Sequence, residues 1–138
     1  LARRFRDALN RIHTVCDHPP VNVLYLIWRD PWMSISPDTY ISQMLKLVNW
    51  NSLPRSSHAR YPSVDLKNFV GVVHKVLLSS EPYPFRDKHI AEISESFDNQ
   101  VEVKLVDGEM LSWYGSRAIA GLHYLENLAA NTNRNAKA

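Results

Sequence analysis

The chain has 138 residues, 45% of them hydrophobic and 22% charged, the balance of one soluble core and not of a disordered or collagen-like polymer. Lysine and arginine outnumber the acids by 16 to 14, and the excess is local: Arg3, Arg4, Arg6 and Arg11 against Asp7 leave the remaining residues at about −1, so no nucleic-acid-binding face follows. A single cysteine, Cys16, rules out an internal disulfide framework and a cysteine-rich zinc site, and the longest apolar run, Val23 to Trp28, falls far short of the ~20 residues a membrane span needs.

Leu1, Phe5, Leu9 and Ile12 recur at helical spacing and predict an amphipathic helix over residues 1–16. The chain opens on Leu-Ala-Arg-Arg without an initiator methionine, and the expectation is that this helix enters from an upstream segment. His18-Pro19-Pro20 breaks it, because proline donates no helical hydrogen bond and restricts the residue before it. Val21 to Trp28 is almost continuously apolar and β-branched or aromatic, as expected of a parallel strand buried on both faces. Ser36-Pro37-Asp38 then offers a capping residue and a first-turn proline, followed by Tyr40, Ile41, Met44, Leu45 and Val48 at helical spacing; a helix of three turns is predicted. Residues 51–63 (NSLPRSSHARYPS) read as a polar, proline-bearing loop. A short helix is expected over Asp65–Phe69, a second buried strand over Val72–Leu78, and an extended loop over 79–85. Arg86–Phe97 reads as a helix, Val101–Val106 as a strand closed by Asp107-Gly108, and Gly115–Ala130 as the last helix. The fold class is therefore α/β: a Rossmann-like parallel sheet with flanking helices, preceded by the end of a long helix (1–18), with the lobe proper over 19–130 and a polar tail over 131–138.

In such sheets ligands gather at the loops that follow the carboxyl ends of the strands. Here the first loop carries Trp28, Arg29, Asp30 and Trp32, the second Glu81 and Tyr83 between prolines, and the third Asp107, Glu109, Trp113, Tyr114 and Arg117. Rings interspersed with a few charges suit a large, partly apolar ligand, although such rings also plug the ends of sheets. Arg29 and Asp30 can pair with each other, and Glu81 can be a solvated loop acid. Cys16 lies near His13 and His18 but away from the loops, and the histidines form no metal-ligand pattern. Asp107 and Glu109, two residues apart, could act as an acid/base pair or hold a divalent cation, which keeps a small α/β enzyme as an alternative. Exposed aromatic loops leave a third reading, a protein-interaction module or homodimer. No GxGxxG, GxxxxGK[ST] or GxSxG is present, so phosphate cradles and the serine-hydrolase elbow lack support.

The ordered runs VNVLYLIWRDPWMSISPDTYISQMLKLVNW, RYPSVDL, VLLSSEPYPFRDKHIAEI and VKLVDGEMLSWYGSRAIAGLHYL resemble the carboxyl-terminal lobe of class III, helical-backbone substrate-binding proteins of bacterial ABC importers. These are receptors for cobalamin, siderophores, haem and metals. The resemblance implies a non-enzymatic, periplasmic protein, with residues 1–18 as the end of an interlobe bridging helix and the amino-terminal lobe absent from this chain. The partners it implies are a permease and its ATPase, and the transported ligand a cobalamin, a haem or a siderophore–metal complex. It places Tyr61 of the RYP motif against the ligand with Arg60 beside it, and adds Trp28, Arg29, Trp32, Glu81, Tyr83, Glu109, Trp113, Tyr114 and Arg117. The family sets a glutamate six residues beyond that tyrosine to dock on permease arginines; here the position is Lys67, a charge reversal that passes the role to Asp65 or removes docking through this lobe.

Overall fold

A computed structural model describes residues 2–15, 19–111 and 118–137. Helix α1 (Ala2–Val15) leads into strand β1 (Val21–Leu26), then α2 (Tyr40–Lys46), β2 (Trp50–Leu53), a 3-10 turn (Leu66–Phe69), β3 (Lys75–Ser79), α3 (Asp87–Ser96), β4 (Glu102–Val106), the short α4 (Gly108–Leu111) and α5 (Ala118–Lys137). The strands form one all-parallel sheet in the order β2-β1-β3-β4, so β1 and β3 are central. The α/β, parallel-sheet architecture expected from the sequence is the architecture found.

Central position explains the composition of β1. Val23, Leu24, Tyr25 and Leu26 are all fully buried, and because side chains alternate across a strand they feed two separate cores. Val23 and Tyr25 join Trp50, Leu77 and Val106 beneath α1, α2 and α5, which contribute Ala8, Met44, Leu45, Leu122 and Leu125. Leu24 and Leu26 join Leu53, Val76 and Leu78 on the opposite face, covered by Leu66 of the 3-10 turn and by Phe85, Ile93 and Phe97 around α3.

Several expectations require correction. Residues 51–53, read as part of a loop, belong to edge strand β2, which pairs Trp50–Leu53 with Val21–Leu24. Its polar members are accounted for: Asn51 is partly exposed, and the buried Ser52 hydroxyl lies 2.6 Å from that of Ser42 on α2. Helix α2 starts later and is shorter than Ser36-Pro37-Asp38 implied. Thr39 is the capping residue; its backbone is extended and its hydroxyl accepts from the Ser42 amide at 3.2 Å. The ladder of β1 ends at Leu26, two residues before the end of the apolar run. There the chain turns through Asp30 and Pro31 and returns, with Trp28 and Met33 bridged antiparallel. At the other end of the chain α5 continues to Lys137, through residues that polarity alone set apart as a tail.

Glycine is required at two close approaches. A methyl group at position 108 would overlap the Ser79 hydroxyl, and one at 121 would meet the Met110 carbonyl oxygen at 2.7 Å. Gly108 lets α4 begin directly over the end of β3, and Gly121 lets α5 cross α4. Both contacts shape the sheet edge where the site lies.

Candidate functional site

At the carboxyl ends of β1 and β3 the loops line a cavity of about 600 Å³. Its walls are mainly apolar: Ile27 and Trp28 from the end of β1, Met33 and Ile35 from the returning segment, and Tyr40 and Ile41 from α2. Tyr61 and Arg60 close one side, and Glu81 and Pro82 the other.

The walls are held by backbone hydrogen bonds. The Ser36 amide donates to the Arg60 carbonyl and the Ser34 amide to the Pro62 carbonyl, each at 2.9 Å, which ties the 54–65 loop to the segment after β1. The buried Ser34 hydroxyl lies 2.9 Å from the carbonyls of both Tyr25 and Leu53, joining the same segment to the two strands. Across the cavity the Ser79 hydroxyl donates to the Glu81 carbonyl at 2.7 Å, and the Tyr83 amide donates to the Ile27 carbonyl at 3.3 Å. Wall positions built from backbone tied to central strands are fixed before any ligand arrives.

The residues singled out in the sequence divide accordingly. Trp28, Arg60, Tyr61 and Glu81 line the cavity. Trp28 and Tyr61 keep 39% and 48% of their surface exposed, large for rings of this size and suited to stacking. The Arg60 guanidinium lies 6.0 Å from the Tyr61 ring centre. Tyr83 stands behind the wall, edge-on to Trp28 at 5.4 Å and against Phe85 at 4.7 Å. Trp32 stacks on Phe85 at 6.4 Å in the α3-side core. Arg29 turns away to Glu92 on α3, with an ion pair at 3.0 Å, and not to Asp30; the hydrogen bonds to Glu92, and then its charge, raise the guanidinium pKa further. Asp107 and Glu109 are outside the lining, and an Asp107 carboxylate oxygen accepts from the amides of Glu109 and Met110, which starts α4. Trp113, Tyr114 and Arg117 lie outside the described residues, as do Cys16 and His18. Asp65 caps the 3-10 turn by accepting from the Lys67 amide at 3.1 Å, and both side chains are exposed.

Sequence reasoning missed most of the apolar lining. Tyr40 and Ile41 carried only a helical-spacing signal, Met33, Ser79 and Gly108 were no more than members of strand-end loops, and Ile35 gave no signal at all.

No protein-family model matches the chain, and no curated protein matches it. Solved structures do. The periplasmic vitamin B12-binding protein BtuF of Vibrio cholerae superposes with a TM-score of 0.70 at 13% identity, over 94% of this chain and 51% of its own. A possible iron-binding, periplasmic solute-binding protein of Staphylococcus epidermidis gives 0.68 at 16%, over 88% and 50%, and the periplasmic heme-binding protein HutB of Vibrio cholerae 0.65 at 16%, over 89% and 52%. The fold is that of one lobe of a periplasmic binding protein. The chain spans about half the length of each of these binding proteins.

In this lobe the cavity occupies the sheet edge where α/β folds hold ligands. Among the described residues no three His, Cys, Asp or Glu side chains come together to hold a metal, and no helix is long and apolar enough to cross a membrane. Among the described residues the cavity offers ring surface, an aliphatic floor, and the charged residues Arg60 and Glu81.

Proposed function

We propose that this chain is the carboxyl-terminal lobe of an extracytoplasmic substrate-binding protein, without catalytic activity, that serves an ABC importer. Its cavity receives one side of a large, partly apolar metal chelate: a cobalamin first, a haem or an iron–siderophore complex next. The observation that carries this reading is the cavity itself, with Trp28 and Tyr61 half-exposed over an aliphatic floor at the carboxyl ends of the two central strands. Rings held open by a preformed backbone frame gain stacking and apolar contact without an ordering cost. The names of the structural neighbours, which bind vitamin B12, heme or iron, support the same ligand class.

In this reading a second, amino-terminal lobe supplies the facing wall, and α1 is the end of the helix that joins the two. A periplasmic location and delivery to a permease and its ATPase belong to the same proposal. Docking would use Asp65 or the face around it, Lys67 being of the wrong sign for a basic partner. Asp107, engaged in starting α4, and Glu109, outside the lining, weigh against the enzymatic alternative.

The test is titration of the chain with cyanocobalamin, hemin and ferric enterobactin, followed by tryptophan fluorescence and calorimetry. Saturable binding of one of them is expected, with a dissociation constant on the order of 0.1 mM because half a cleft buries only part of the ligand. Tyr61→Ala and Trp28→Ala should each weaken it about tenfold, the worth of a well-buried ring contact. Absence of saturable binding for all three ligands at millimolar concentration would overturn the reading.

A further inference from the structure

A second, smaller pocket of about 210 Å³ lies between α2 and the edge strand β2, and it shares no lining residue with the strand-end cavity. Pro37, Ser42, Lys46, Asn51, Ser52 and Arg55 line it, so every side chain but the proline carries a hydrogen-bond donor and none is a carboxylate. Neither Lys46 nor Arg55 forms an ion pair among the described residues. Ser42 and Lys46 are four residues apart on one face of α2, which sets them side by side. The Ser42 and Ser52 hydroxyls are buried and 2.6 Å apart, and among the described residues neither makes another hydrogen bond. One proton serves that bond, so the other hydroxyl proton is left to donate. Arg55 is anchored. Its guanidinium donates to Asn22 Oδ1 at 3.0 Å, while Asn22 Nδ2 donates to the Val72 carbonyl at 3.0 Å, which fixes the Asn22 side chain at both ends. The Asn22 backbone is fixed in turn by His74, whose Nδ1 accepts from its amide at 2.8 Å.

We infer that this pocket binds a phosphate group, as inorganic phosphate or a phosphomonoester. A phosphomonoester carries about −1.5 to −2 charges at pH 7 and three strong acceptor oxygens, which match two unpaired cations and an unspent hydroxyl. A carboxylate brings one charge and leaves one of the two cations uncompensated. Arginine adds geometric fit, because its planar fork bonds two phosphate oxygens at once. The pocket also lies at the free edge of the sheet, where β2 has no further neighbour. There the Val21 amide takes the Asn49 carbonyl at 3.1 Å and Asn51 pairs inward to β1, so the Ser52 amide is turned to the open edge as a further donor. At about a third of the strand-end cavity's volume, the pocket has room for one small oxyanion and not for a chelate. None of its residues is used in the binding-site reading above, and the inference stands whether or not the larger cavity takes a cobalamin or a haem. The phosphate chemistry is the same for a soluble phosphate and for a lipid with a monoester headgroup.

The experiment titrates the chain with inorganic phosphate at low salt, followed by calorimetry and by the amide shifts of residues 42–55. Saturable binding is expected with a dissociation constant on the order of 1 mM, and added chloride should weaken it by screening. Lys46→Gln and Arg55→Gln, both at exposed positions, should keep the parent's melting temperature and each weaken binding about tenfold, the loss of one charge-assisted contact. Lys88→Gln, which removes an exposed lysine on α3, should leave the affinity unchanged. Binding that depends on Lys46 and Arg55 but not on Lys88 supports the site. No saturation at about 20 mM phosphate overturns it, and so does binding that all three variants weaken equally or that none weakens, since general surface charge would then suffice. Phosphatidylcholine vesicles with and without phosphatidic acid identify the source once phosphate binding is established. Cosedimentation that needs phosphatidic acid, Lys46 and Arg55 supports the site with a lipid headgroup in it; no cosedimentation supports it with a soluble phosphate.

Discussion

The hydroxyl of Ser79 rests against the backbone of Gly108 so closely that a methyl group at position 108 would overlap it. This contact joins the end of β3 to the start of α4, and the same hydroxyl holds the Glu81 backbone at the cavity wall. Gly108→Ala should therefore cost about 1–3 kcal/mol, as overpacking in a tight site does. Ser79→Ala in the same chain removes the obstructing oxygen and should recover about 1 kcal/mol of that loss as coupling between neighbours. Urea unfolding of the single and double variants checks this, and strictly additive losses would show that the contact is not what requires glycine.

Tyr25 presents the reverse case, a buried polar group without a well-formed hydrogen bond among the described residues. Its ring fills the α5-side core and its hydroxyl is fully buried. Burial, reinforced by the nearby Tyr124, Asp107 and Glu81, pushes its pKa well above the usual value near 10, the adjacent Ser79 opposing only in part. Tyr25→Phe should leave stability at neutral pH unchanged or raise it by about 1 kcal/mol, since an unsatisfied buried hydroxyl is removed with little change of shape. The sign at alkaline pH is fixed by linkage. A group with a raised folded-state pKa gives stability that is intact below the unfolded value, here about 10, and is lost as pH rises beyond it. The parent chain should lose stability more steeply than Tyr25→Phe above pH 10, as followed by thermal melts across that range.

Much of this architecture is legible from composition because the central strands are buried on both faces, and such strands announce themselves as apolar runs. Edge strand β2 is not legible for the opposite reason. Asn51 and Ser52 break the run, and the strand is specified by its neighbours: Trp50 under the helices, Ser52 against Ser42, Leu53 in the other core. The same distinction governs the site. Trp28 and Glu81 could be singled out because rings and charges in strand-end loops are conspicuous, whereas Tyr61 and Arg60 came from the resemblance alone. Met33 and Ile35 could not, since only the antiparallel return of the chain after Pro31 turns ordinary aliphatic residues into a cavity floor. Arg29 and Trp32 share that loop but were carried to the α3 side by Glu92 and Phe85, partners about 50 to 60 residues away that no local pattern reveals.

Tyr83 gives a prediction about positioning. It does not line the cavity; it supports Trp28 edge-on at 5.4 Å and is itself braced by Phe85 and by the buried His89, whose Nε2 lies 3.5 Å from the Tyr83 hydroxyl. An edge-to-face ring pair is worth about 0.5–1.5 kcal/mol beyond its buried area. Tyr83→Leu keeps an apolar filler but removes that edge, so the near-ultraviolet circular dichroism of the tryptophans should change while far-ultraviolet helicity is retained. Ligand affinity should fall about three- to tenfold through the loosened Trp28 ring. An unaltered tryptophan signal together with unaltered affinity would assign Tyr83 to packing alone.

Lys75 opens β3 on the sheet face that carries Trp50. Its side chain is only 10% exposed, its ammonium lies 3.0 Å from a Glu102 carboxylate oxygen on β4, and the Trp50 ring centre is 5.4 Å away. Register makes the pair possible, since Lys75 and Glu102 are direct partners across the β3–β4 ladder. Removing the carboxylate leaves a nearly buried ammonium with only the ring face for company. Glu102→Gln should destabilise by about 1–3 kcal/mol, less than a fully buried pair would because Glu102 is itself a third exposed. Lys75→Met removes the charge while keeping the stem, so it should cost less than Glu102→Gln, and adding it to Glu102→Gln should restore part of the loss. Denaturant midpoints for the four chains decide the matter. A Lys75→Met variant less stable than Glu102→Gln would mean that the ammonium over Trp50, and not the ion pair, anchors the start of the strand.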